Sequence, residues 1–196
     1  LGKRRELLKK AAEAMPDLLC RAENSGYPQD IFYANHVVSK VLMSQAMMET
    51  NSNDKKRLLE KALEHRKEAT KYVDQNLPFA YWDRGVMQSY LADIKSELAD
   101  LAKDSETKKN MLQEVILDKE NSLKLCKKGV TFCEKKGPVS ELYNITYWQY
   151  EYGNLLKRLY QVANNKEHLR RAIEAFEDSA DYAEKLDLRY QMAEDY

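Results

Sequence analysis

The chain has 196 residues, 43% hydrophobic and 33% charged, with 32 Lys and Arg set against 32 Asp and Glu. Only 6 Gly and 4 Pro punctuate it, too few for a sandwich or barrel that turns every ~8–12 residues. A mean hydropathy of −0.72, no apolar run of about 18 residues and zero net charge exclude a membrane-spanning helix and argue against a uniformly basic nucleic-acid binder.

In chain order, apolar residues recur at steps of three and four in every long stretch, and period-two alternation never persists. The spacing predicts helices at about 3–24, 28–50, 54–74, 79–103, 106–135, 139–163 and 165–186, with an eighth starting near 188. Pro16 should kink or delay the first, and Gly129 could end the fifth early. Clear stripes are Leu58, Leu59, Ala62, Ala69, Tyr72 and Val73 in the third, and Leu169, Ala172, Ile173, Phe176, Ser179, Ala180, Ala183 and Leu186 in the seventh.

Two kinds of link alternate. Asn51-Ser52-Asn53-Asp54, Lys103-Asp104-Ser105 and Asn164-Asn165 supply Asn, Asp or Ser as helix N-caps. Ser25-Gly26-Tyr27-Pro28, Asn76-Leu77-Pro78 and Lys136-Gly137-Pro138 carry a proline suited to the first helical turn. Alternating links imply helix pairs. The predicted organisation is one helical domain over 1–196: a half unit at 1–24, pairs at 28–74, 78–135 and 138–186, and a further helix begun at 187–196.

The pairs repeat. Arg4-Arg5-Glu6-Leu7-Leu8-Lys9-Lys10-Ala11 aligns with Lys55-Lys56-Arg57-Leu58-Leu59-Glu60-Lys61-Ala62, with Lys108–Val115 and with Lys166–Ala172. The aligned Leu8, Leu59, Leu112 and Leu169 are 51, 53 and 57 residues apart.

In the last pair, Gln149-x₂-Tyr152-Gly153-x₂-Leu156 is followed by Ala172-x₃-Phe176-x₂-Ser179. This resembles the tetratricopeptide repeat, whose pattern places a small residue, an aromatic four later and a small residue three beyond. The aligned upstream positions, Ala62-x₃-Arg66 and Val115-x₃-Lys119, lack the aromatic, and Gln149 stands where the pattern has Trp. The resemblance implies an all-α solenoid of stacked antiparallel helix pairs, with a groove that binds a peptide or protein partner and performs no catalysis. It also implies a scaffold or sensor region of a larger regulator.

Chemistry has no foothold in the sequence. His36, His65 and His168 sit on separate predicted helices, and no H-E-x-x-H, Cys/His cluster, Gly-rich phosphate loop or G-x-S-x-G occurs. No catalytic residue, cofactor or metal ligand is expected. Cys20, Cys126 and Cys133 form no C-x-x-C pair and suit free thiols in a reducing cytoplasm. On one helix Cys126 and Cys133 share a face about 10.8 Å apart, beyond disulfide reach, and should be packed inside.

The start, Leu1-Gly2-Lys3-Arg4-Arg5-Glu6, has no apolar stretch behind it and does not read as a signal peptide. With no initiating Met, the chain reads as a segment of a longer protein. From Lys166 to Tyr196 five basic residues face nine acidic ones, whereas Leu1–Asn24 has six basic and four acidic.

Aromatic residues are the best functional lead. Tyr143, Tyr147, Trp148, Tyr150, Tyr152 and Tyr160 surround one predicted helix, and Phe79, Tyr81, Trp82 and Tyr90 surround another. The expected partner groove faces out from the first helix of each pair and comprises Asn35, Tyr81, Arg84, Gln88, Tyr147 and Tyr150. The competing expectation is nucleic-acid binding through Lys127-Lys128, Lys135-Lys136 and the other Lys/Arg-rich stretches.

Overall fold

The computed structural model describes residues 2–78, 80–132 and 139–194, with side-chain surroundings for 3–78, 80–130 and 143–185. Phe79, Cys133, Lys135, Lys136, Gly137 and Pro138 lie outside the described residues. Seven helices are described: α1 (Gly2–Ser25), α2 (Pro28–Ala46), α3 (Ser52–Asn76), α4 (Tyr81–Asp100), α5 (Ser105–Phe132), α6 (Val139–Ala163) and α7 (Lys166–Glu194).

The links act as their chemistry dictates. Gly26 takes the left-handed φ of +71°, open to a residue without Cβ, and Pro28 then opens α2. Asn51 caps α3 by accepting from the backbone N–H of Asn53 (2.9 Å) and Asp54 (3.2 Å). Asp104 accepts from the Thr107 N–H at 2.7 Å before α5, and Asn165 from the Glu167 N–H at 3.0 Å before α7. Each supplies an acceptor for an N–H that the helix itself leaves unpaired.

Two boundaries differ from the sequence reading, at the ends of α2 and α7, and Gly129 does not end α5. α2 ends at Ala46 rather than near 50. α5 runs through Gly129 to Phe132, because that glycine serves close packing: a Cβ there would lie 2.9 Å from the Trp82 backbone nitrogen. Among the described residues no eighth helix forms a separate element. α7 continues unbroken through 187 to Glu194, where no Gly or Pro interrupts Lys185–Glu194. α1 likewise continues through Pro16.

Helices α2–α3, α4–α5 and α6–α7 pack as intimate pairs, with thinner joints at α1–α2, α3–α4 and α5–α6. Contacts within each pair run in opposite directions along the partners: Phe32 meets Tyr72 and Asn35 meets His65 in α2–α3, Lys119 meets Ser89 and Gly129 meets Trp82 in α4–α5, and Ser179 meets Thr146 and Phe176 meets Gly153 in α6–α7. The pairs are therefore antiparallel. Val38, Leu42, Leu59, Ala62, Ile94 and Leu98 form one apolar cluster across α2, α3 and α4. Ala92, Leu112, Val115, Ile116, Leu155, Leu156, Leu159 and Ala172 form the next, across α4 to α7. No pair buries its apolar faces alone, which is why neighbours stack.

Candidate interaction face

The position seven residues beyond the aligned leucines decides what fills the middle of each pair. It is Arg66 after Leu59, Lys119 after Leu112 and Phe176 after Leu169. Arg66 and Lys119 are each only 1% exposed, so two cations occupy the place where the last pair has a phenyl ring.

Their surroundings compensate them differently. The Lys119 ammonium donates to Ser89 Oγ at 2.8 Å and pairs with Asp93 at 2.5 Å, a carboxylate that keeps 35% of its side chain exposed. Arg66 has no carboxylate within ion-pair distance among the described residues. Its Nη1 donates to His36 Nδ1 at 2.7 Å, its guanidinium carbon lies 4.9 Å from the Tyr90 ring centre, and Nε is buried without a partner. Burial lowers its pKa to about 10, partly opposed by Tyr90 and Asp93. His36 falls to about 4, first by burial and then by the charges of Arg66 and Lys40. Its Nδ1 must be bare to accept from arginine, so the ring is neutral with its proton on Nε2.

The expected groove residues divide. Tyr147 and Tyr150 on α6 are 51% and 50% exposed, and Tyr143, one turn before Tyr147, is 61% exposed. Tyr150 also rests on Phe176, with ring centres 5.6 Å apart. Tyr81 lies beneath Lys128, whose Nζ is 3.9 Å from its ring centre. Arg84 is held by Asp74 at 2.8 Å and the Pro78 carbonyl at 3.1 Å. Gln88 is half-buried, with its carbonyl oxygen unpaired.

Asn35 is a correction. It points inward, buried, donating to the Ile31 carbonyl at 2.8 Å and meeting His65 Nδ1 at 2.7 Å. The outward stripe of α2 runs instead through Tyr33, Val37 and Lys40, and a rotation of the assumed face accounts for the difference.

The sequence reading passed over Arg66 and Lys119 as members of a site. Their signal was present, since both stand where the repeat pattern asks for an aromatic. Asp93 pairs with Lys119, and the Tyr147 pKa is raised first by burial and then by the charges of Glu151, Asp93 and Tyr143. The face thus offers the exposed rings of Tyr143, Tyr147 and Tyr150. Among the described residues no three His, Cys, Asp or Glu side chains converge as a metal site, and no helix is long and apolar enough to cross a membrane.

Against known structures, the chain is similar to a filament designated DHF58 at 19% identity and a TM-score of 0.52, over 95% of this chain and 86% of that one. The fold is a helical repeat. The de novo designed helical repeat protein DHR64 matches at 16% identity and a TM-score of 0.42, over 95% of this chain and 97% of that one. No protein-family model matches the helical repeat described here, and no curated protein does.

Proposed function

We propose that the protein is a non-catalytic interaction scaffold of tetratricopeptide-like character that binds a peptide or protein segment across its first-helix face. One observation carries this reading: Tyr143, Tyr147 and Tyr150 stand half or more exposed on one helix, while the same helix buries Ile145, Trp148, Leu155, Leu156 and Leu159. Large aromatic side chains lose little entropy on docking and dominate the energetics of protein contacts. The gap between Gly153 and Ala172 is longer than in the family pattern, so the proposed kinship lies in packing logic rather than repeat length. A free-thiol cytoplasmic setting belongs to the same proposal.

Nucleic-acid binding fits less well. Lys55, Lys95, Lys108 and Lys127 pair with Glu97, Asp118, Asp100 and Asp178, so their charge is locally answered.

Selection of random peptides displayed on phage against the full chain tests the proposal. The reading expects an enriched sequence class whose affinity falls roughly tenfold or more in Tyr147→Ala and changes little with salt. Selection yielding no enriched class, or one indifferent to Tyr143, Tyr147 and Tyr150, contradicts it. A steep loss with salt would favour the nucleic-acid reading.

A further inference from the structure

The outward side of α7 differs from the corresponding sides of α3 and α5. Leu59 and Leu112 are 0% exposed, but the aligned Leu169 is 38% exposed. Ile116 is 4% exposed because α6 packs over it, whereas the aligned Ile173 is 52% exposed. Leu123 is buried in the α5–α6 joint, and its counterpart Ala180 is exposed. The apolar positions that join one pair to the next are thus present on α7, with nothing over them among the described residues.

We propose that this side of α7 seats a further helix pair of the same kind, supplied from outside residues 1–196, whose first helix carries a Leu/Ala stripe flanked by Lys or Arg. The inference goes beyond the tyrosine face and does not depend on it.

Continuity with the α5–α6 joint identifies the occupant. There Glu120 accepts from the Tyr152 hydroxyl at 2.6 Å and pairs with Arg171, tying α5 to both helices of the following pair. The aligned residue on α7 is Glu177, and it is exposed, whereas Glu174 beside it is paired with Arg170. The seat is apolar in the middle with the Glu177 carboxylate at its rim, so it selects a helix that brings a hydrogen-bond donor or positive charge to that point.

A second copy of this chain fits poorly. Joined tail to tail, Glu177 would oppose its own image and meet no donor of the kind Tyr152 and Arg171 supply to Glu120. Joined head to tail, the copy would present α1, whose Leu8 aligns with the leucines of second helices, where a first helix belongs.

The test uses a fluorescently labelled peptide of residues 139–163, this chain's own example of a first helix covering such a face, titrated onto the full chain. Saturable binding is expected, weakened about tenfold or more by Ile173→Glu. Glu177→Lys should weaken it as well, and Tyr147→Ala should leave it unchanged. Circular dichroism and melting should be unaltered in Ile173→Glu, since that side chain is already half in solvent. No binding at about millimolar peptide, the weakest affinity that would signify a seat, overturns the proposal. So does binding indifferent to Ile173→Glu, or a dimer in sedimentation velocity that Ile173→Glu dissolves, since the occupant would then be a second copy. Because Tyr147→Ala and Ile173→Glu report on separate faces, this proposal and the peptide-scaffold proposal fail independently.

Discussion

Gly153 of α6 lies against the ring of Phe176 in α7, where a Cβ would stand 2.6 Å from Cε1. The glycine lets the ring into the pair. Gly85 and Gly129 do the same work in α4–α5 under harder constraints. A Cβ at 85 would meet the Ser122 carbonyl oxygen at 2.9 Å and collide with Cys126 Sγ, and one at 129 would meet the Trp82 backbone.

These differences rank three substitutions. Helix propensity alone favours Ala over Gly by about 1 kcal/mol. At 153 the obstacle is a partly exposed ring that can tilt, so Gly153→Ala should fall within about 1 kcal/mol of the parent once the two effects offset. At 85 and 129 backbone must move, so each Ala should destabilise by about 1–3 kcal/mol. Urea unfolding of the three variants checks the order, and Gly153→Ala as the most damaging would contradict it.

The buried cations give a second prediction. An isostere without charge avoids the desolvation that Arg66 and Lys119 undergo. Arg66→Met should be as stable as the parent or more so, because it strands no buried anion. Lys119→Met should cost no more than about 1 kcal/mol, because Asp93 is exposed enough to be hydrated when its partner goes. Arg66→Ala, which leaves a void, should lose about 2–4 kcal/mol. Denaturation midpoints decide the matter, and a loss above about 3 kcal/mol in Arg66→Met would show that the guanidinium contacts are net stabilising.

The imidazoles make stability depend on pH. His36 has a pKa of about 4 in the fold, against an ordinary 6.5, and His65 is also lowered, chiefly by burial. Between those values the unfolded chain binds more protons than the folded one, so stability rises with pH. The histidine contribution is complete above about pH 7 and drains away as pH falls toward the folded-state value. Carboxylates begin to titrate below about pH 5, so the window of about pH 5–7 isolates the effect. The urea midpoint should fall across that window in the parent, fall less in His36→Gln, and be nearly flat in the double variant His36→Gln, His65→Gln. An unchanged slope in His36→Gln would mean that burial and the neighbouring Arg66 charge do not hold the ring neutral.

Much of the architecture was legible because helix pairs write themselves in steps of three and four and in links of fixed chemistry. Asn51, Asp104 and Asn165 were readable as caps, and Gly153, Ala172 and Phe176 as a packing set. The interaction face was legible only in part. Tyr147 and Tyr150 lay off the apolar stripe and are exposed, but Asn35 was set on the wrong side, since neighbouring side chains on a helix differ by 100° and a small error turns one inward. The sequence marks Arg66 and Lys119 only as positions that lack the repeat's aromatic, and it does not show their burial because long cationic side chains are normally solvated. Only the repeat register, which places them at the position of Phe176, argues that they are buried. The sequence reading divides α7 near 188, although no Gly or Pro near that point breaks a helix.

Amide hydrogen exchange on Ala172→Leu tests most directly that the molecule is a stack of neighbouring helix pairs. Ala172 is buried in the cluster with Ala92, Leu112, Leu155, Leu156 and Leu159, where a larger side chain overpacks at a cost of about 1–3 kcal/mol. In a stack stabilised by nearest-neighbour joints the damage stays local. Protection should fall across α6 and α7 while Leu58–Val73 of α3 keeps its parent rates. Equal loss along all seven helices would contradict the account by showing a single cooperative bundle, and unchanged protection would show that Ala172 does not sit at the close contact of the α6–α7 pair.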